Sequence, residues 1–110
     1  MCDNLPMIAR DLPFPARFVA DPAEGFPQMT TVIIPGLDGS EDGAYTSGYT
    51  LEEARRMAVD LVDTWLIFRA ENEQPWPTPA PCDMVEEGWE LVRPSARVYR
   101  ALTLRQLRKR

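Results

Sequence analysis

The chain has no histidine, and this absence is the most restrictive fact in its composition. Ser-His-Asp and Cys-His nucleophile pairs, mixed Cys/His zinc sites and histidine general bases are all removed. Cysteine is scarce: Cys2 and Cys82 are the only two, which is no secreted disulfide framework, and no bridge between them is expected. No apolar run approaches the roughly 20 residues that a membrane helix needs. The short Leu5–Ala9 patch between Asp3 and Asp11 is neither a basic leader nor a signal core of about 7–15 apolar residues, so the expected location is the cytoplasm. No repeat of solenoid length is present.

What remains is an ordinary globular composition, with 45% hydrophobic and 26% charged residues in 110, enough for one core and too little for two catalytic domains. So small a core makes a homo-oligomer, dimer or tetramer, or a binding partner expected. Charge is unevenly placed. Seven of the twelve basic residues lie in 93–110 without an acid among them, leaving five against all seventeen acids in 1–92. A body of net −12 is thus followed by a segment of net +7, the first repelling nucleic acid and suited to a basic protein, the second of opposite preference.

Along the chain, residues 1–13 mix Pro6, Pro13, charges and isolated apolar residues without period and read as an arm. Phe14–Ala20 alternates Ala16, Phe18 and Ala20 against Arg17 and Val19, the pattern of a half-buried strand, with Pro15 placing its start on a sheet edge. Asp21–Gly25 supplies a turn, and the β-branched Gln28–Ile34 a second strand paired as a hairpin. Pro35-Gly36 ends it, an Asp/Gly loop follows, and Ala44–Ser47 is read as a third strand. Thr50-Leu51-Glu52-Glu53 is a capping box, in which the Thr50 hydroxyl takes the Glu53 amide and Glu53 reaches back to the Thr50 amide. The helix opening there carries Leu51, Ala54, Met57, Ala58, Leu61, Val62, Trp65 and Leu66 on one stripe, wholly apolar, and Glu52, Arg56 and Asp60 outside. Four prolines in Pro75–Pro81 force extended chain. Trp89–Val92 reads as a fourth strand, and Pro94-Ser95 as the start of a short helix with Val98, Leu102 and Leu107 on one side. The expected fold is α+β: a small antiparallel sheet in the order β-β-β-α-β, one long helix packed on one face, and a short C-terminal helix.

The pieces FPARFVADPAEG, VIIPGLDG, GYTLEEARRMAVDLVDTWL, NEQPWPTPAP and WELVRPSARVYRAL, in this order and spacing over about residues 14–102, resemble the N-terminal domain of HicB-type antitoxins. That resemblance implies a partial RNase H-like domain over 14–92 that binds a small HicA-type mRNA interferase and blocks its RNase site. In longer members it also implies a C-terminal DNA-binding module. Here only RQLRKR follows Leu104, too short for a helix-turn-helix, so autonomous operator recognition is not expected. The implied protein acts by occlusion, without catalysis or cofactor; the alternatives are a nucleic-acid-binding transcriptional regulator that uses the basic segment 93–110, and an orphan inhibitor of a nuclease encoded elsewhere.

Candidate residues follow from charge and expected exposure. Asp38, Glu41, Asp42, Asp63, Glu71 and Glu73 are the acids expected to face a basic partner, their alternative role being plain solubility. Asp38, Glu41 and Asp42 sit in D-G-S-E-D-G, which lacks calcium-loop spacing, so no metal is expected. Trp65, Phe68 and Trp76 are either a partner anchor or core, with Trp65 favouring core and Trp76 left open. Arg97, Arg100, Arg105, Arg108, Lys109 and Arg110 are nucleic-acid candidates for contacts to phosphate, or else a cation-rich helix end.

Overall fold

Residues 13–38, 43–74, 77, 79, 85–98, 100, 101 and 104 are described in the computed structural model of the chain. Strand β1 covers Phe14–Ala20, β2 Thr30–Ile34, β3 Ala44–Gly48 and β4 Trp89–Val92, with helix α1 over Leu51–Glu71 between β3 and β4. The four strands form one sheet in the order β3-β2-β1-β4, every neighbouring pair antiparallel. Helical residues resume at 96, giving a short C-terminal helix. The protein is therefore a small α+β fold of the expected element order.

Period-2 alternation decides which face is buried. Phe14, Ala16, Val32, Ile34, Ala44 and Val92 turn to one side and meet Ala54, Ala58, Val62 and Leu66 of α1, with Leu37 and Val98 closing the ends of the same cluster. Alanine at 54 and 58 keeps the helix close to the sheet. Gly48 does the same: a Cβ there would lie 2.4 Å from the Ala54 amide nitrogen, so only glycine lets the end of β3 touch the first turn of α1. The two residues between these elements, Tyr49 and Thr50, turn the chain back, and α1 returns along β3. At 1.5 Å per residue the 21-residue helix is about 31 Å long, against about 17 Å for a five-residue strand, so it overhangs the sheet.

One expectation holds only locally and one is corrected. β1 lies inside the sheet, but its start, where Pro15 sits, is an edge on the β2 side. Pairing with β4 runs over Phe14–Arg17, whereas pairing with β2 starts only at Arg17. The Phe18 amide donates towards the β4 side, to Gly88 O at 2.7 Å. Amides alternate in direction along a strand, so the donor that Pro15 lacks would face the β2 side, where no ladder bond is required. The helix stripe is also not wholly apolar. Asp63 is buried on it, while Leu51 and Met57 are 41% and 36% exposed. Leu61 and Trp65 do pack against the core, as do Val59 and Ile67.

Candidate functional site

The start of α1 shows how local sequence builds a surface. Thr50 has extended backbone and its Oγ1 accepts from the Glu53 amide at 3.1 Å, satisfying one of the orphan donors of the first turn. The reciprocal bond differs from the expected one. Glu53 Oε1 accepts from the Tyr49 amide at 3.2 Å, one residue before the cap, and so fixes the residue that carries an exposed ring. That ring stacks on Phe26, with centroids 4.5 Å apart and planes 27° apart. Phe26 is delivered by the loop between β1 and β2, where Ala23 and Phe26 exchange backbone bonds of 3.1 and 2.8 Å, the Met29 amide donates to Phe26 O and the Asp21 amide to Met29 O. Gly25 makes that tight turn at φ 83°, a conformation that costs a glycine nothing.

Beside Tyr49 an open cleft of about 250 Å3 is lined by Met29, Ser47, Gly48, Tyr49, Glu53 and Met57. Phe26 and Tyr49 keep 44% and 53% of their surface exposed. Exposed aromatics beside flexible methionines are the side chains that binding surfaces favour.

A second cluster ties the start of the C-terminal helix to the middle of α1. The Asp63 carboxylate is 2% exposed. Its Oδ1 accepts from the Ser95 amide at 2.8 Å and its Oδ2 from the Ser95 hydroxyl at 2.5 Å. Ser95 Oγ in turn accepts from the Arg97 amide at 3.2 Å, so one serine caps its own helix while giving its proton to the acid. Arg97 Nη1 pairs with Asp60 Oδ1 at 2.7 Å on the surface. At the sheet rim Arg55 grips both oxygens of Glu90, at 2.9 to 3.1 Å. This hydrogen bonding, then the charge of Glu90 and to a lesser degree that of Glu52, holds Arg55 above the ordinary guanidinium value.

Of the acids expected to face a partner, Asp38, Asp63, Glu71 and Glu73 lie among the described residues, and they fall on different elements. Asp63 is a correction: it is buried and bound to Ser95, because a carboxylate on the core side of a helix must find donors or stay in water. Asp38 is half-buried in the turn after β2. Glu71 is the last residue of α1 and exposed. Glu73 lies just beyond, at φ 54°, with its amide donating to Ala70 O and that of Gln74 to Arg69 O. These two bonds make a Schellman helix stop, with glutamate in the position usually held by glycine. Glu41, Asp42 and Trp76 lie outside the described residues, as do Arg105, Arg108, Lys109, Arg110 and both cysteines. Of the basic candidates within them, Arg97 is engaged by Asp60 and Arg100 is exposed. Trp65 meets Phe68 edge-on at 6.0 Å, and Phe68 is 47% exposed.

Sequence reasoning missed the cleft. Met57 falls on the apolar stripe and was expected inside, and nothing in the sequence around Phe26 marks its ring as the partner of Tyr49, 23 residues on. Among the described residues no three acids or thiols converge to hold a metal ion, and no helix is long and apolar enough to cross a membrane. Comparison with family models, with curated proteins and with solved structures finds no match to this chain.

Proposed function

We propose that this protein is the antitoxin of a type II toxin–antitoxin pair, a HicB-type inhibitor that binds a small basic HicA-type mRNA interferase in the cytoplasm and covers its catalytic surface. The observation that carries the reading is the β-β-β-α-β layer pair itself, since this is the element order that the sequence resemblance implies for the toxin-binding domain. An acidic body favours fast association with an RNA-binding partner. The role needs surface and no chemistry, and a homodimer or tetramer would present that surface more than once. Nucleic-acid binding by residues 93–110 is the competing reading. It loses one of its cations at the start of the segment, because Arg97 already pairs with Asp60.

The test mixes the purified chain with the neighbouring or nearest HicA-like protein and follows complex formation together with RNA cleavage. A stoichiometric complex that silences cleavage is expected. Undiminished cleavage in the presence of excess chain would overturn the proposal. Salt-sensitive DNA binding that disappears on truncation at Arg93 would put the competing reading in its place.

A further inference from the structure

The cleft beside Tyr49 combines three features that seldom meet in a purely structural contact. Its lining includes the polarizable side chains of Met29 and Met57. It also includes Tyr49, whose ring is stacked on Phe26 outside the lining, with more than two fifths of each residue in solvent. It also holds the half-buried carboxylate of Glu53. The one side-chain bond of that carboxylate among the described residues is the Tyr49 amide on Oε1, and no described cation pairs with it. A volume of about 250 Å3 equals several waters at ~30 Å3 each, room for one long side chain.

From this geometry we infer that the cleft receives an arginine side chain of the partner protein. The methylene stem would lie along Met29 and Met57, the guanidinium against the face of Tyr49 and towards Glu53. Each part has a physical reason. A guanidinium is planar and weakly hydrated, so it stacks on an aromatic face more readily than an ammonium does. Its stem covers apolar surface while its head keeps a charged acceptor. A purely aliphatic anchor would cover the second Glu53 carboxylate oxygen, the one the Tyr49 amide does not reach, without a donor, and burying a charged oxygen in that way is costly. Acid and aromatics together therefore select a cationic guest, in keeping with a basic partner and with the excess of acid over 1–92. The inference rests on the antitoxin reading only for which protein bears the arginine.

Two arms of one experiment separate the cleft from its use. In the first, the full chain is titrated with Nα-acetyl-arginine amide and with the uncharged citrulline analogue, following the Met29 and Met57 methyl and Tyr49 ring resonances by NMR. Saturable shifts confined to these groups are expected with arginine. Binding should weaken about tenfold for citrulline and for Glu53→Gln, as the loss of one charge-assisted bond implies. Glu53→Gln keeps an oxygen for the Tyr49 amide, so the helix start survives. Equal shifts from citrulline, or arginine shifts scattered over other surface acids, would overturn the assignment. In the second arm Glu53→Gln is mixed with the HicA-like toxin. A complex weakened about tenfold is expected for loss of the same bond. An undiminished complex would remove the cleft from the interface and leave the antitoxin reading standing. Arginine binding without any toxin complex would overturn the antitoxin reading and leave the cleft assignment intact.

Discussion

Replacing Asp63 by alanine is the sharpest test of the tertiary structure. The carboxylate accepts two bonds from Ser95, at 2.8 and 2.5 Å, and is 2% exposed. Hydrogen bonds to a charged group contribute about 1.5–3 kcal/mol each, and an orphaned buried donor costs about 1–3 kcal/mol. Ser95 is half-buried, so water repairs part of the damage, and a loss of about 2–4 kcal/mol is expected. The complementary Ser95→Ala removes the hydroxyl but keeps the amide, and should cost about 1–2 kcal/mol. Because both changes destroy the same contact, the double variant should be more stable than the summed losses imply, with a coupling of about 1–2 kcal/mol. Urea unfolding followed by tryptophan fluorescence reads all three. With a slope of about 2 kcal/mol/M, Asp63→Ala moves the midpoint down by about 1–2 M, and a domain of about 5–15 kcal/mol remains folded at zero denaturant. A cost for Asp63→Ala below about 0.5 kcal/mol, or strict additivity, would refute the claim that this pair anchors the C-terminal helix.

Thermal melts read five further substitutions. Thr50→Ala removes the acceptor of the Glu53 amide and should cost about 1 kcal/mol, a fall in Tm of about 4–8 °C for a domain near this size. Glu73→Gly relieves a left-handed backbone at φ 54° and should raise stability by about 0.5–1 kcal/mol; a lower Tm would show that the glutamate side chain outweighs the strain. Gly48→Ala drives a methyl into the Ala54 amide, and overpacking of this kind costs about 1–3 kcal/mol, so an unchanged Tm would contradict the close helix–sheet approach. Leu66→Ala empties a fully buried position and should cost about 2–5 kcal/mol, while Phe68→Ala in the next turn, 47% exposed, should cost far less.

Features set by neighbours in sequence were legible without coordinates. The bounds of β1 and β4 follow from alternation and turn residues. The start of α1 follows from a threonine whose hydroxyl reaches an amide three residues on, and the Ser95 start of the last helix from the same kind of short-range bond. Where the reading failed, the deciding partner was distant. Asp63 appears as a surface acid because a helical pattern classes polar residues as outward. What brings it inside is Ser95, 32 residues later, whose two donors make burial of a charge affordable. Pro15 marks an edge at the start of β1, but only the staggered registers of β2 and β4 show that the rest of the strand is central. The acids proposed for a partner follow from charge and expected exposure, and the four among the described residues lie in a turn, a core and a helix end.

The sequence by itself thus determined the elements, their order and the α+β class, because capping, turn chemistry and periodicity act over a few residues. Only the tertiary structure decided which faces met. It set Met57 and Tyr49 in a cleft with Met29, stacked Tyr49 on Phe26 and fastened the C-terminal helix through a buried carboxylate, because packing and hydrogen-bond satisfaction depend on residues that the fold, and not the chain, makes neighbours.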